Sequence, residues 1–354
     1  MRTYHIQEPD LSMRKQVQAT LDGLSKPIGS LGKLEGVARK IATIQKSLTP
    51  TLSHPHHLIF VGDNGISDEQ ISPSPKEITW QQAMNIMQGG AGINVFVRQH
   101  HFDLLVIDAG TDHNFPTDIG IIDRKIRRGT RNFLHEAALT PDEVNLALQY
   151  GEEVINLIDH HGCNVVSMGE LGVGSTAAAS MWMSLLTGIP LPQCSGYAFG
   201  GKYSDHKLHV LSDALKRFVL PVTPMNVMSE FGSLELIMAT GAMLRAAELN
   251  MVILIDGFLM STAFLMAYKI NPDIEHYAIF CQRSEDKGHR QLLEYLGVEP
   301  LLHLNFYVGE GSGAVCAYPL IQSAVNLLTQ MSRFDETFSQ RTRYDLEDNV
   351  TLDA

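Results

Sequence analysis

The chain has 354 residues, 44% of them hydrophobic and 19% charged, which is the composition of a globular protein large enough for one or two domains. Its formal charge is −12, from 39 acids against 27 Lys and Arg. That balance excludes nucleic acid as a partner and points to a small molecule in a local site. Cys163, Cys194, Cys281 and Cys316 are scattered, with no CxxC pair, so neither a disulfide framework nor a zinc ribbon is expected. The N-terminus MRTYHIQEPD lacks the apolar core of a signal peptide, and no run approaches the length of a membrane span. A cytoplasmic protein without a membrane partner is expected.

Residues 8–50 carry apolar residues at helical spacing, broken at KPIGSLG (26–32). The break reads as a turn between two helices; an anion contact through Lys26 and Ser30 is the sharper alternative. Six strand-length apolar runs follow: LIFV (58–61), LLVI (104–107), NVVSM (164–168), VILI (252–255), YAIF (277–280) and LNFYV (304–308). Amphipathic helical sequence separates most of them. This predicts an α/β fold with a parallel sheet covered on both faces. Polar and glycine residues follow every run, as GDNG (62–65), DAGTD (108–112), GELGVGST (169–176), DGF (256–258), CQRSE (281–285) and GEGSG (309–313). Ligands of open α/β sheets bind outside the carboxyl ends of the strands, so a catalytic edge is expected there.

Residues 189–232 interrupt the alternation. They are rich in Pro, Gly and Ser, with QCSGYAFGGKYSDHK at 193–207 and a helix-like stretch after it, and are expected to loop over the active edge. A long helix is expected from Gly313 to about Met331, then a polar, acidic tail over 332–354. The chain divides at 1–50, at 51–313 with its inserted region 189–232, and at 314–354.

The stretch CNVVSMGELGVGSTAAAS (163–180) is the one around which the rest is organised. A β-branched run leads into Gly169, Gly172 and Gly174, and Ser175 and Thr176 then open an alanine-rich helix. Strand, glycine loop and helix N-terminus together present backbone N–H groups to an anion. No Lys follows the last glycine, so this is not a Walker A loop. Glu170 stands inside the cradle, where a pure phosphate site would gain nothing from it. A phosphate at one end and a hydrogen-bond donor at the other is one reading; a tight βα turn is the other.

Glu310 is the candidate general base. It follows LNFYV and lies between Gly309 and Gly311, in neutral surroundings. A carboxylate so placed can take a proton from an azole or a hydroxyl. A helix N-terminal carboxylate is the plainer alternative. Asp63, Asp108 and Asp256 each end or follow a strand and read as ribose ligands or helix caps. No metal-ligand spacing appears, so no metal is expected. The histidines at 54–57, 100–101 and 160–161 read as surface or satisfied groups. Lys202, Lys207 and Arg283 are candidates to meet phosphate charge.

The motifs KPIGSLGKLE (26–35), GDNGIS (62–67), QGGAGINVF (88–96), MGELGVGST (168–176), DGF (256–258), RSEDKGH (283–289) and VGEGSGA (308–314), in this order, resemble those of the nicotinate-nucleotide–dimethylbenzimidazole phosphoribosyltransferase family. The resemblance runs from about residue 20 to 325. It implies a Rossmann-like six-stranded parallel sheet with a small helical domain built from the chain ends. It also implies a homodimer that uses no metal or cofactor. The implied substrates are nicotinate mononucleotide and an azole base, 5,6-dimethylbenzimidazole or similar. Ribose 5-phosphate would move between them with inversion at the anomeric carbon, in assembly of the cobalamin lower-ligand nucleotide loop.

Carried over by resemblance, Glu310 is the base. Glu170, Gly172 and Gly174 line the nucleotide and phosphate site, and Leu171 lies near the base. Gln81 of EITWQQ falls in the base pocket, and Val308 packs on the base. Ser284 lies near the nicotinate, and Lys207 matches the phosphate lysine. The chain departs from the family pattern at Asn64, where His is usual. It departs again at Trp80 and Gln82 beside Gln81, and in a shorter segment before Lys207.

The implied reaction suits the residues. The pyridinium leaving group is already positive, so little protonation is needed there. The incoming azole must lose one N–H proton, for which one carboxylate suffices. Two competing readings stand beside it. One is glycosyl transfer to another base or a phenol on the same scaffold. The other is a nucleotide-binding module without catalysis, which would have no use for Glu310.

Overall fold

The computed structural model describes residues 1–194 and 202–334. The chain opens with α1 (Leu11–Asp22), whose first turn is capped by Asp10 accepting from the Ser12 amide at 2.7 Å, and α2 (Lys33–Ile44). The KPIGSLG segment between them is a turn, and Lys26 is committed to Glu35 at 2.9 Å in a buried ion pair. Then come β1 (His56–Gly62), α3 (Ile78–Met87), α4 (Gly92–His100), β2 (Asp103–Gly110) and β3 (Ile122–Asp123). Next is α5 (Pro141–Asp159), which starts with a capping box of Thr140 and Glu143 and a proline in its first turn. β4 (Val165–Leu171) and α6 (Ser175–Thr187) follow. The inserted region holds α7 (Leu191–Cys194), α8 (Lys202–Arg217) and α9 (Pro224–Glu230). The chain continues through α10 (Leu234–Glu248), β5 (Val252–Ile255), α11 (Phe258–Ile270), β6 (Ala278–Phe280), α12 (His289–Leu296) and α13 (Ser312–Gln330).

The six strands form one sheet in the order β3-β2-β1-β4-β5-β6, every pair parallel. Every residue of β1 and of β5 is buried, as expected of central strands with helices on both faces. The order reverses between β1 and β4. A crevice opens at the carboxyl ends of two strands whose connections leave in opposite directions, and this is where such sheets bind ligands. Near the chain ends, Leu24 bridges Arg333, and the Phe334 amide donates to Gly23 O at 2.9 Å. α1 and α13 pack on α2 through Val17, Leu21, Ile41 and Ile321.

Two expectations about the sheet are corrected. LNFYV (304–308) is not a strand. The chain makes a last parallel bridge, Gln282 to Leu302, and then runs outside the sheet. Leu304, Tyr307 and Val308 are exposed, because this segment borders a cavity instead of filling a core. The sixth strand is β3, whose two residues are too short for an apolar run to announce. In the region 189–232 the helix-like stretch expected after residue 207 is present as the later part of α8, and α7 and α9 add helix where a loop was expected. Residues 195–201 of the expected covering loop, and 335–354 of the expected tail, lie outside the described residues.

Candidate active site

The tips of β1 and β4 meet at the crevice. A cavity of about 330 Å³ opens there, lined by Thr79, Glu170, Gly174, Thr176, Val308 and Glu310 among others. A smaller one of about 80 Å³ adjoins it and shares Glu170 and Thr176, adding Asp256, Ser284 and Asp286.

Glu310 is fixed from several sides. Its backbone is left-handed, φ 52°, a conformation rare for a residue with a Cβ. Its N–H donates to Glu170 O at 3.2 Å. Its carbonyl lies 2.7 Å from His57 Nε2, and His57 Nδ1 lies 2.7 Å from Ser167 Oγ. Burial pushes His57 down to about 4, so the ring is neutral and has one N–H. That N–H donates to Glu310, and Nδ1 accepts from the Ser167 hydroxyl. Gly169 lets β4 touch this junction, since a Cβ there would stand 2.2 Å from the Glu310 carbonyl carbon. Gly311, with φ 75°, has the His57 ring on its other side. The side chain of Glu310 accepts from Gln82 Nε2 at 2.6 Å.

The glycine loop is partly self-satisfied. The amides of Val173, Ser175 and Ala177 donate to Thr79 Oγ1, Gly172 O and Gly174 O. An anion would meet the other amides and the Thr176 hydroxyl, which Lys207 Nζ approaches to 2.7 Å. Lys207 is brought by α8 and is buried; desolvation lowers it to about 8, against the attraction of Asp286. Glu170 is buried at the β4 tip. Ser175 Oγ lies 2.6 Å from Glu170 Oε2 and 2.8 Å from Glu235 Oε1, and Asn64 Nδ2 donates to Glu235 Oε1 at 2.6 Å.

The model of the family described as Phosphoribosyltransferase matches residues 6–338. A Bacteroides fragilis protein named nicotinate-nucleotide–dimethylbenzimidazole phosphoribosyltransferase is 46% identical over 94% of this chain and 97% of its own. A Dechloromonas aromatica protein of the same name is 42% identical over 95% and 98%. The crystal structure of a Thermus thermophilus protein of that name superposes with a TM-score of 0.88 at 33% identity, covering 92% of this chain and 98% of the other. The chain belongs to the nicotinate-nucleotide–dimethylbenzimidazole phosphoribosyltransferase family. It is therefore an enzyme of the pentosyltransferase class.

Against that family's pattern, the geometry brings Glu170, Leu171, Gly172, Gly174, Thr176, Val308 and Glu310 to the larger cavity. Ser284 lines the smaller one, where its hydroxyl donates to Asp286 Oδ2 at 2.9 Å. Ser175 lies beneath, buried between two carboxyl groups. Gln81 is different: it is exposed and lines neither cavity, and Gln82 reaches Glu310 instead. Trp80 stacks on His113, with ring centroids 4.4 Å apart. Asp108 and Asp256 both accept from backbone amides, and Asp256 also lines the smaller cavity. Asp108 takes the amides of Gly110 and Thr111 and pairs with Lys125 at 3.1 Å. Asp256 accepts from the Ala314 amide at the start of α13. Asp63 accepts from the Asp112 amide. Arg283 rests on His303, and the Lys202 side chain lies outside the described residues.

Sequence reasoning missed Gln82, His57 and Glu235 as parts of this site. For Glu235 a signal existed: an acid inside the apolar helix LELIMATGAML has no solvent to face. His57 sits in a wholly buried strand, where its two ring nitrogens must find partners.

Proposed function

We propose that the chain transfers ribose 5-phosphate from nicotinate mononucleotide to 5,6-dimethylbenzimidazole or a similar azole, giving α-ribazole 5′-phosphate and nicotinate. The observation that carries this reading is the Glu310 carboxylate, locked at a glycine-flanked turn beside the larger cavity and held at one oxygen by Gln82. The C1′–N bond to the pyridinium breaks with the electron pair leaving on nicotinate. One azole nitrogen attacks C1′ from the opposite face, and the other gives its proton to Glu310 Oε2. Lys207, Thr176 and the loop 172–176 hold the 5′-phosphate. Val308 and Leu171 face the azole, and Ser284 lies towards the nicotinate end. The product serves assembly of the cobalamin lower-ligand nucleotide.

The enzyme works as a homodimer in the cytoplasm. The family resemblance supports the first, and sedimentation of the purified protein tests it. The second is supported by four free cysteines, three of them buried, with no disulfide among them. No described helix is long and apolar enough to cross a membrane. The functional test is turnover of nicotinate mononucleotide with a panel of azoles and phenols. Release of nicotinate coupled to an α-riboside is expected with an azole; nicotinate released to water alone, with every acceptor tried, would overturn the reading.

A further inference from the structure

Ser175 has one hydroxyl hydrogen and three oxygens within reach. Its Oγ lies 2.6 Å from Glu170 Oε2, 2.6 Å from Gly172 O and 2.8 Å from Glu235 Oε1. A hydroxyl donates once. With both carboxyl groups ionised, at least one would face Ser175 lone pair against lone pair at hydrogen-bonding distance. A proton on one carboxyl relieves the two carboxyl contacts, and leaves only the Gly172 carbonyl without a hydrogen from Ser175. That O–H donates to Ser175 Oγ, and the hydroxyl donates onward to the other carboxylate.

Burial points the same way. Glu235, in the first turn of α10, is fully buried, and its polar neighbours Asn64, Ser175 and Ser233 carry no positive charge. Glu170 faces three acids: Glu235, Glu310 ahead of α13, and Asp286 ahead of α12. At the β1 tip Asp63 adds a fourth carboxyl group, bound to the Asp112 amide and Thr79. Among the described residues the cation of this region is Lys207 of α8, set against Thr176 and Asp286. Two ionised carboxylates buried side by side without a cation are strongly disfavoured.

We propose that Glu170 and Glu235 hold a single proton between them through Ser175, and that this proton keeps Glu170 neutral where it borders the cavity. Glu235 is thereby a positioning residue for an anionic nucleotide. The proposal rests on the functional reading above, since a substrate bearing a phosphate and a carboxylate would be repelled by an ionised Glu170. Burial and Glu235 push Glu170 up to about 8, and burial raises Glu235 as well, in keeping with a retained proton at neutral pH.

The test is Glu235→Gln, read by calorimetric binding of nicotinate mononucleotide across pH. The carboxamide keeps the contacts to Asn64 and Ser175 but cannot share an acid proton. With the like charge gone, Glu170 ionises at lower pH. Parental affinity should stay level to near pH 8, while the variant's should begin to fall at least about one pH unit earlier, by up to about tenfold per unit, and match the parent at the acid end. Lys207 titrates in both proteins, so the difference between the curves carries the result. Superimposable curves would overturn the proposal. Should the variant not fold, the infrared difference between the parent and Glu170→Gln at neutral pH decides: a neutral carboxyl component lost in the variant, beyond that of Asp256, is expected, and equal neutral carboxyl absorption in the two refutes the shared proton. Transfer to an azole is measured separately, so a parent that binds nucleotide but transfers to no base sinks the functional reading and leaves the proton to be judged alone.

Discussion

Gln82 Nε2 donates to Glu310 Oε1 at 2.6 Å across 228 positions of sequence. A neutral amide orients the carboxylate without cancelling its charge, and leaves the second oxygen for an azole proton. Glu310→Gln should lower transfer by about a hundredfold or more, the usual scale for a lost general base, with nucleotide affinity nearly intact. Gln82→Ala should cost less, about tenfold, since it loosens the base without removing it. Gln81→Ala should be close to parental. Steady-state kinetics with separately measured binding decide this; a Gln81 variant impaired more than the Gln82 variant would refute the assignment.

The way these residues were or were not legible follows from their physics. Buried parallel strands such as VILI are continuous apolar runs, so β1, β2, β4, β5 and β6 stood out in the sequence. LNFYV has the same composition for a different reason, which is that it borders a cavity. β3 is two residues long and carries no pattern. The glycine loop and Glu310 were visible because glycines crowd where backbones touch, as Gly169 does on Glu310. Choosing between Gln81 and Gln82 required the rotational phase of α3. One residue turns a helix by about 100°, and two adjacent glutamines give no clue to which faces inward.

Lys207 gives a pH dependence with a definite sign. Burial lowers it to about 8 in the unliganded enzyme, and a phosphate beside it would favour the charged form. Above that pH, nucleotide binding must take up a proton, so KM for the nucleotide should climb by up to about tenfold per pH unit while kcat changes less. Lys207→Arg keeps its charge at high pH and should flatten part of that climb. Lys207→Met should raise KM at neutral pH as well. A KM in the Met variant equal to that of the parent would remove Lys207 from the phosphate site.

Gly169 and Gly311 should not tolerate a methyl group. At Gly169 it would stand 2.2 Å from the Glu310 carbonyl carbon, and at Gly311 2.2 Å from His57 Cε1, with φ 75° adding strain. Overpacking of this kind costs about 1–3 kcal/mol, and here backbone or a buried ring must move. Gly169→Ala and Gly311→Ala should each lower the urea midpoint and cut turnover more than stability alone explains. By contrast, Gly36 lies inside α2 and Gly36→Ala meets no atom within 4 Å, so it should raise the urea midpoint slightly, by about 0.5–1 kcal/mol of stability, and leave turnover unchanged.

His57 should appear in the acid branch of stability. Its ring is fully buried and lowered from 6.5 to about 4. The unfolded chain therefore binds a proton below 6.5 that the folded chain refuses. Its contribution is complete above 6.5 and is lost as pH falls towards 4, at up to about 1.4 kcal/mol per pH unit. Glu170 and Asp256, raised to about 8 and about 7, act in the opposite sense, since the folded chain holds their protons longer. The histidine term must therefore be read as a difference. His57→Gln retains an amide donor for the Glu310 carbonyl but has nothing to titrate in this range. Urea unfolding at a series of pH values should show the parent losing about 3 kcal/mol relative to the variant between the two pKa values, and no further difference below them. Parallel stability curves across that window would mean that His57 is protonated in the folded enzyme, and that its hydrogen bond to Glu310 is not the contact of a neutral ring.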